Sequence, residues 1–198
     1  MDIVIATSNQ NKLKEFKALL KDYAVTILSL KDFPHIPAIV EDGESFYENA
    51  LKKATTVARH SGKLTIADDS GIEVDALGGR PGIYSSRFAG ENATDEENND
   101  KLLKDLTGVP SDKRRACFKC VLVVTTPEGK TDFVGGECRG VIIDEFKGNY
   151  GFGYDPLFLV PEYNKTFSEI SPEEKNKISH RSRALHKLLK LLPDYLTG

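Results

Sequence analysis

Long apolar runs are missing from this chain: no stretch approaches the roughly 20 residues that a helix needs to cross a bilayer. The opening Met1-Asp2-Ile3-Val4-Ile5-Ala6 carries no basic n-region and is too short for a signal peptide, so a cytoplasmic protein with no membrane partner is expected. Cysteine is scarce, at three residues, which suits a reducing compartment. Two of them, Cys117 and Cys120, spell C-x-x-C, but inside an apolar segment that reads as a strand. Residues three apart on a strand point to opposite faces, so the pair is read as packing and not as a metal or redox site. Excess charge of one sign is also absent. A formal net charge of −3 argues against broad, phosphate-driven nucleic-acid binding, and no stable nucleic-acid partner is expected. Repeats, low-complexity tracts and linkers are missing as well. The 198 residues are expected to form a single domain, 1–198, large enough to bury a substantial core.

What is present alternates in type. Residues 2–7 read as a short buried strand, followed by a helix over about 11–21 and a strand over 24–28. Ser45-Phe46-Tyr47-Glu48 has the pattern of a capping box, in which serine accepts an early N–H while glutamate reaches back. The helix it opens should run to about His60. Residues 64–68 read as a strand ending at Asp69-Ser70-Gly71. Thr94-Asp95-Glu96-Glu97 repeats the capping logic, and strands are expected at 115–125, 131–143 and 156–160. Ser171-Pro172-Glu173-Glu174 opens another helix, with proline at its first position. Helices and strands alternate early and hairpin-like strands dominate the middle, which predicts an α/β fold with a mixed sheet.

Five places could carry chemistry. Thr7, Ser8, Asn9, Gln10, Asn11 and Lys12 lie at a strand-to-helix junction, where free N–H groups and a lysine attract anions; a plain N-cap is the alternative. The segment is neither a Walker A loop nor a G-x-G-x-x-G fingerprint. Glu41-Asp42-Gly43-Glu44 and Asp68-Asp69 supply acids. Neighbouring aspartates repel each other unless solvent or a cation intervenes, and alternation lets only one face a given cleft. Mg²⁺ needs one or two carboxylates beside substrate phosphates and water, so Glu41 with Asp69 would suffice; a solvated turn is the alternative for Glu41 and Asp42. Lys53, one turn beyond Asn49, could reach phosphates or simply be solvated. Gly148-Asn149-Tyr150-Gly151-Phe152-Gly153-Tyr154-Asp155-Pro156 offers close backbone approach and aromatic faces for a planar base, or an ordinary glycine-rich turn. Lys175 and Ser179-His180-Arg181 come last. In a continuous helix Arg181 falls in the apolar stripe of Leu185 and Leu188 and needs a carboxylate, a carbonyl or a ligand. With a break at Ser179, His180 and Arg181 would instead open a second helix.

The ordered set Thr7-Ser8-Asn9-x-x-Lys12, Glu48-Asn49-Ala50-x-x-Lys53-Ala54, Ala67-Asp68-Asp69-Ser70-Gly71, Leu77-Gly78-Gly79-x-Pro81-Gly82, Phe152-Gly153-Tyr154-Asp155-Pro156 and Ser179-His180-Arg181 resembles the inosine triphosphate pyrophosphatase family. The resemblance spans Ile3 to Leu192. It implies an elongated mixed sheet with flanking helices, two lobes around a nucleotide-binding cleft, and a homodimer. It also implies hydrolysis of deaminated purine nucleoside triphosphates (ITP, dITP, XTP) to the monophosphate and pyrophosphate, which cleanses the nucleotide pool. On that basis Thr7 through Lys12 and Lys53 would hold the triphosphate. Glu41 and Asp69 would bind Mg²⁺, with Asp69 also the base for the attacking water and Ser70 touching substrate beside it. Phe152, Gly153, Tyr154 and Asp155 would form one wall of the base pocket, with Lys175, His180 and Arg181 on the other. A non-catalytic nucleotide sensor and a phosphatase releasing orthophosphate are the competing readings; pyrophosphate release separates both from the first.

Overall fold

The computed structural model describes residues 1–196, the side chain of Leu196 excepted. Seven strands form one open mixed sheet in the order β2-β1-β3-β4-β5-β6-β7. These are β1 (Asp2–Ile5), β2 (Thr26–Ser29), β3 (Leu64–Val74), β4 (Arg115–Thr125), β5 (Thr131–Ile142), β6 (Phe158–Val160) and β7 (Lys165–Thr166). β1 pairs in parallel with β2 and β3, while β6 pairs antiparallel with β5 and β7. The helices are α1 (Gln10–Leu19), α2 (Phe46–Ser61), α3 (Asp95–Asp105), α4 (Pro172–Ile178), α5 (His180–Leu191) and α6 (Pro193–Leu196). Among the described residues no helix is long and apolar enough to cross a membrane.

The chain divides into two compact units. The first comprises residues 1–69, 120–136 and 181 onward, and the second 70–119 and 137–180. β3, β4 and β5 each contribute residues to both. In the first unit, Ile3, Ile5, Ile66, Leu122 and Val124 pack with Phe16 of α1 and Leu185 and Leu188 of α5. A second cluster sets Ala50, Ala54 and Val57 of α2 on Val4, Ala6 and Val123. Small residues on that helix face let its backbone approach the strands, and each fully buried Leu, Ile or Val contributes about 1.5–3 kcal/mol. The core of the second unit gathers Ile72, Val74, Leu102, Phe118, Phe158 and Phe167.

Helix starts follow the expected chemistry with one change. Ser45 accepts the Glu48 N–H at 3.2 Å, but the Glu48 carboxylate takes the N–H of Glu44 at 2.7 Å and not that of Ser45. Thr94 and Glu97 form the complete reciprocal box, and Ser171 accepts from Glu174 with Pro172 at the first helical position. The largest departure from expectation is β3. It does not end at Asp68 but runs on through Asp69, Ser70 and Gly71 to Val74. Two adjacent aspartates can sit in mid-strand because cations from distant segments compensate both, a non-local effect that a local pattern does not register. Ser179 breaks the C-terminal helical region with extended dihedrals (φ −68°, ψ 156°), so α5 starts at His180.

Candidate active site

In the first unit the acids of β3 are divided between two sets of partners, as alternation along a strand dictates. Asp68, 1% exposed, accepts from Lys12 Nζ at 3.0 Å and from Arg181 Nη2 at 3.1 Å. Burial alone would raise its carboxyl, but Lys12, Arg181 and Lys53 overcome that and hold it far below the usual carboxylate range. Asp69, 7% exposed, accepts from Lys53 Nζ at 3.2 Å and from Asn49 Nδ2 at 3.3 Å. The same Lys53 ammonium donates to Glu41 Oε2 at 2.7 Å. Two acids 28 residues apart in sequence therefore converge on one cation.

The charges in this cluster are unequal. Burial dominates at Asp69 and pushes its carboxyl up to about 6; Lys53 and Lys12 pull it down, and Glu41 adds to the rise. At Glu41 burial is outweighed by Lys53 and by a hydrogen bond from Asp69, so its carboxyl lies below its ordinary value. Of the two acids, Asp69 is therefore the one that binds a proton more readily. Lys53 is buried, yet the attraction of Asp69, Asp68 and Glu41 outweighs burial and raises its ammonium above the ordinary value. The solvated lysine considered for position 53 is therefore not what the fold contains.

Asn49 is a site residue that motif reading passed over. Its Oδ1 accepts the Gly43 N–H at 2.8 Å while its Nδ2 reaches Asp69, tying the loop that carries Glu41 to β3. Gly43 must lack a side chain, since a Cβ there would lie 2.8 Å from Asn49 Oδ1 and from Glu48 Cβ. The signal available in sequence was an asparagine one turn before Lys53 on the same helix edge.

At the start of α1, Asn9 Oδ1 accepts the N–H groups of Asn11 and Lys12 at 2.9 and 3.1 Å. Thr7 Oγ1 accepts the N–H of Asn9 at 3.2 Å. Ser8, Asn9, Gln10 and Asn11 are exposed, whereas Thr7 is buried. The N-cap reading of Asn9 is thus realised, and the Lys12 side chain stays positioned by Asp68. For Arg181, the ion pair is the geometry observed: its guanidinium, 2% exposed, donates to Glu15 and Asp68.

The second unit holds the aromatic segment. Asp155, 2% exposed, accepts the Phe152 N–H at 3.0 Å and Lys175 Nζ at 2.6 Å. Lys175 Nζ also lies 5.0 Å from the Phe152 ring centroid and 5.3 Å from that of Phe167, within cation–π range. Gly151 has φ +80°, and a Cβ there would meet Asp155 Oδ2 at 2.0 Å, so the close approach of the carboxylate requires glycine. The Tyr154 hydroxyl donates to the Ser85 carbonyl at 2.8 Å, and burial pushes the phenol above its ordinary value. His180 is buried and stacks on Phe118, with ring centroids 4.7 Å apart at 8°. Ser70 is half-buried within β3. Cys117, Cys120 and Cys138 are not joined by disulfides. Among the described residues there is no cluster of three or more His, Cys, Asp or Glu side chains arranged to hold a metal.

An open mixed sheet with a lysine-bridged acid pair in one unit and a lysine-paired aspartate among aromatic rings in the other defines an α/β protein with buried acid–lysine sites. The Ham1 family profile matches residues 3–191, and the chain belongs to that family. A dITP/XTP pyrophosphatase of Desulforamulus reducens is 51% identical over 192 residues, covering 97% of this chain and 96% of that relative. Another from Bacillus cereus is 49% identical over 198 residues, covering 99% and 97%. The structure of the Staphylococcus aureus Ham1 protein superposes with a TM-score of 0.87 at 42% identity, covering 98% of this chain and 100% of that one. A Coxiella burnetii HAM1 protein gives a TM-score of 0.88 at 40% identity, covering 98% and 99%.

Proposed function

We propose that this chain hydrolyses deaminated purine nucleoside triphosphates (ITP, dITP and XTP) to the monophosphate and pyrophosphate, using Mg²⁺ held by Glu41 and Asp69. The carrying observation is the convergence of Glu41 and Asp69 on the Lys53 ammonium. Family membership supports the reading, as do relatives named dITP/XTP pyrophosphatase at about half identity over nearly the full chain.

The donor set suits a hard divalent cation. Two carboxylates from separate segments share one ammonium, and their oxygen atoms are the donor type that Mg²⁺ takes. When bound, Mg²⁺ neutralises phosphate charge and makes water more acidic. Asp69 takes the proton from the water that attacks the α-phosphorus. A carboxyl near 6 is ionised at neutral pH yet more basic than an ordinary aspartate, which suits a general base. The new bond joins the water oxygen to the α-phosphorus; the bond to the α,β-bridging oxygen breaks and pyrophosphate leaves. Lys12 and Lys53 neutralise the charge developing on that leaving group. Their carboxylate partners fix both ammonium groups before substrate arrives, so little reorganisation is needed. The exposed first turn of α1, with Ser8, Asn9, Gln10 and Asn11, adds donors for phosphate oxygens, and Thr7 braces it.

Phe152, Gly153, Tyr154 and Asp155 form the base wall, with Lys175 and His180 contributing from α4 and α5. Donors aimed at a 6-oxo group meet a donor in adenine and leave both sides unpaired, a mismatch worth up to ~10⁴-fold in a dry pocket. Arg181 serves this scheme through Asp68, which it holds against Lys12. The same reading carries a homodimer, checked by sedimentation, and a cytoplasmic location, which cysteines not joined by disulfides suit.

The test is a panel of ITP, dITP, XTP and ATP with product identification, run with Mg²⁺ and again after chelation. Pyrophosphate from the 6-oxo substrates, lost on chelation and slight with ATP, is the expected result. Orthophosphate as product replaces the reaction type, and binding without release makes the protein a sensor. Equal rates on every purine remove the selectivity claim alone.

A further inference from the structure

In the second unit, the residue at the centre of the aromatic segment is held from outside that segment. Asp95, the first residue of α3, accepts the Gly153 N–H on Oδ2 at 2.7 Å. One turn later Asn99, 2% exposed, donates from Nδ2 to the Gly153 carbonyl at 2.8 Å and to the Asp95 carbonyl at 2.8 Å. Both backbone polar groups of one glycine are therefore taken by side chains of one helix, four residues apart. These positions share a face. Neighbouring Asn98, 3% exposed, accepts the Ala89 N–H at 2.8 Å and donates to the Ser86 carbonyl at 3.2 Å. That second staple holds the segment whose Ser85 carbonyl receives the Tyr154 hydroxyl.

We propose that Asp95 and Asn99 are positioning residues that set the base wall, and hence base selectivity, by clamping Gly153 between Phe152 and Tyr154. The proposal rests on the assignment of residues 152–155 to base recognition made above. Gly153 has φ +62°, a conformation with no side-chain packing to stabilise it, so its orientation depends on what its amide and carbonyl bind. Turning that peptide re-aims the Phe152 ring and the Phe152 N–H that Asp155 accepts. Asp155 in turn fixes Lys175. A hydrogen bond to an ionised acceptor is stronger than a neutral one, which suits the Asp95 end of the clamp. The hydrogen bonds that Asp95 and Asn99 make to Gly153 lie within the second unit, so the clamp acts on binding and discrimination and not on water activation.

The experiment compares Asp95→Ala, Asp95→Asn and Asn99→Ala with Asp100→Ala, which removes an exposed acidic charge of the same helix away from the pocket that Phe152 and Gly153 line. Asp95→Asn keeps an acceptor for the Gly153 N–H. Expected are a roughly tenfold rise in KM for ITP in the two clamp-breaking variants, kcat within about twofold, and a narrowed ITP-to-ATP preference. Asp95→Asn should be largely rescued and Asp100→Ala unchanged. A merely structural role lowers the folded fraction, which moves apparent kcat and melting temperature and leaves KM alone; that result overturns the proposal. So does equal damage in Asp95→Ala and Asp95→Asn, which would assign the effect to helix charge. Amide exchange over residues 148–156 reads the clamp without substrate, and faster exchange is expected in Asp95→Ala and Asn99→Ala only. If the unmodified chain releases no pyrophosphate from ITP, the proposed function fails on its own; unchanged exchange in the variants sinks the clamp independently. Faster exchange with unaltered KM also rejects it.

Discussion

The two units use polar groups in different ways. In the first, Lys12 and Arg181 pair with Asp68 while Lys53 bridges Glu41 and Asp69, and the two sets form a network through the fields of their charges. In the second, the ion pair of Lys175 with Asp155 sits among aromatic rings and is reinforced by the Phe152 N–H, while Asp95 accepts the neighbouring Gly153 N–H. The network is suited to charge that changes during a reaction, because gain or loss of a proton is spread over several groups. The pair is suited to fixed shape. An enzyme that must both handle a polyphosphate and discriminate a flat base needs one of each.

The sharpest way to break the comparison is Asp69→Asn. Turnover should fall by at least about 10³-fold, roughly 4 kcal/mol in the barrier, with the fold intact by circular dichroism. Near-normal turnover would make Asp69 a spectator. Next comes Lys175→Met, expected to cost about 3–5 kcal/mol of stability in denaturant titration because Asp155 stays buried after losing its cation. A loss below about 1 kcal/mol would mean that the pair is not a structural anchor.

Asp69→Asn has a second, opposite effect on stability. Its folded-state carboxyl at about 6 lies above its ordinary 3.8. The folded chain therefore binds more protons than the unfolded one across that window. The stability this group contributes is complete below 3.8 and is lost as pH rises through 6. The metal-free Asn variant should consequently be more stable than the parent by about 2–3 kcal/mol at pH 8 and little different at pH 4. Melting curves at the two pH values check this, and a variant destabilised at pH 8 would reverse the sign assigned to burial. The smallest effect is expected at the edge of the network. In Lys12→Met, with Arg181 still on Asp68, about 1 kcal/mol should be lost. The KM for ITP should rise far more than that stability loss suggests, and an unchanged KM would remove Lys12 from phosphate binding.

Much of this fold was legible because its signals are local. β4 was expected over 115–125 and spans Arg115–Thr125, and serine or threonine caps mark the starts of α2, α3 and α4. What escaped was set by distant partners. The continuation of β3 past Asp68 depends on Lys12, Lys53 and Arg181, which lie 56, 15 and 113 residues away in sequence. The pattern around Lys53 left phosphate contact and plain solvation both open, because neither Glu41 nor Asp69 is its helical neighbour. The break at Ser179 stayed open because a serine in a helical pattern is compatible with both an interior position and a cap. Asn49, Asp95 and Asn99 went unassigned for a related reason: an amide or acid that grips a remote backbone group leaves no spacing to recognise.

The side-by-side aspartates of β3 also make its alignment unforgiving. With the start of the strand held in register, inserting one residue within 64–67 would move Asp68 into the place of Asp69, toward Asn49 and Lys53, and leave Ala67 opposite Lys12 and Arg181. Both acids would remain in the chain, so composition alone would report no damage. Yet the lysine–arginine clasp would have lost its carboxylate, and Asp69 would be carried past Asn49 and Lys53. Chain length in that short stretch is thus as much a part of the chemistry as the acids themselves.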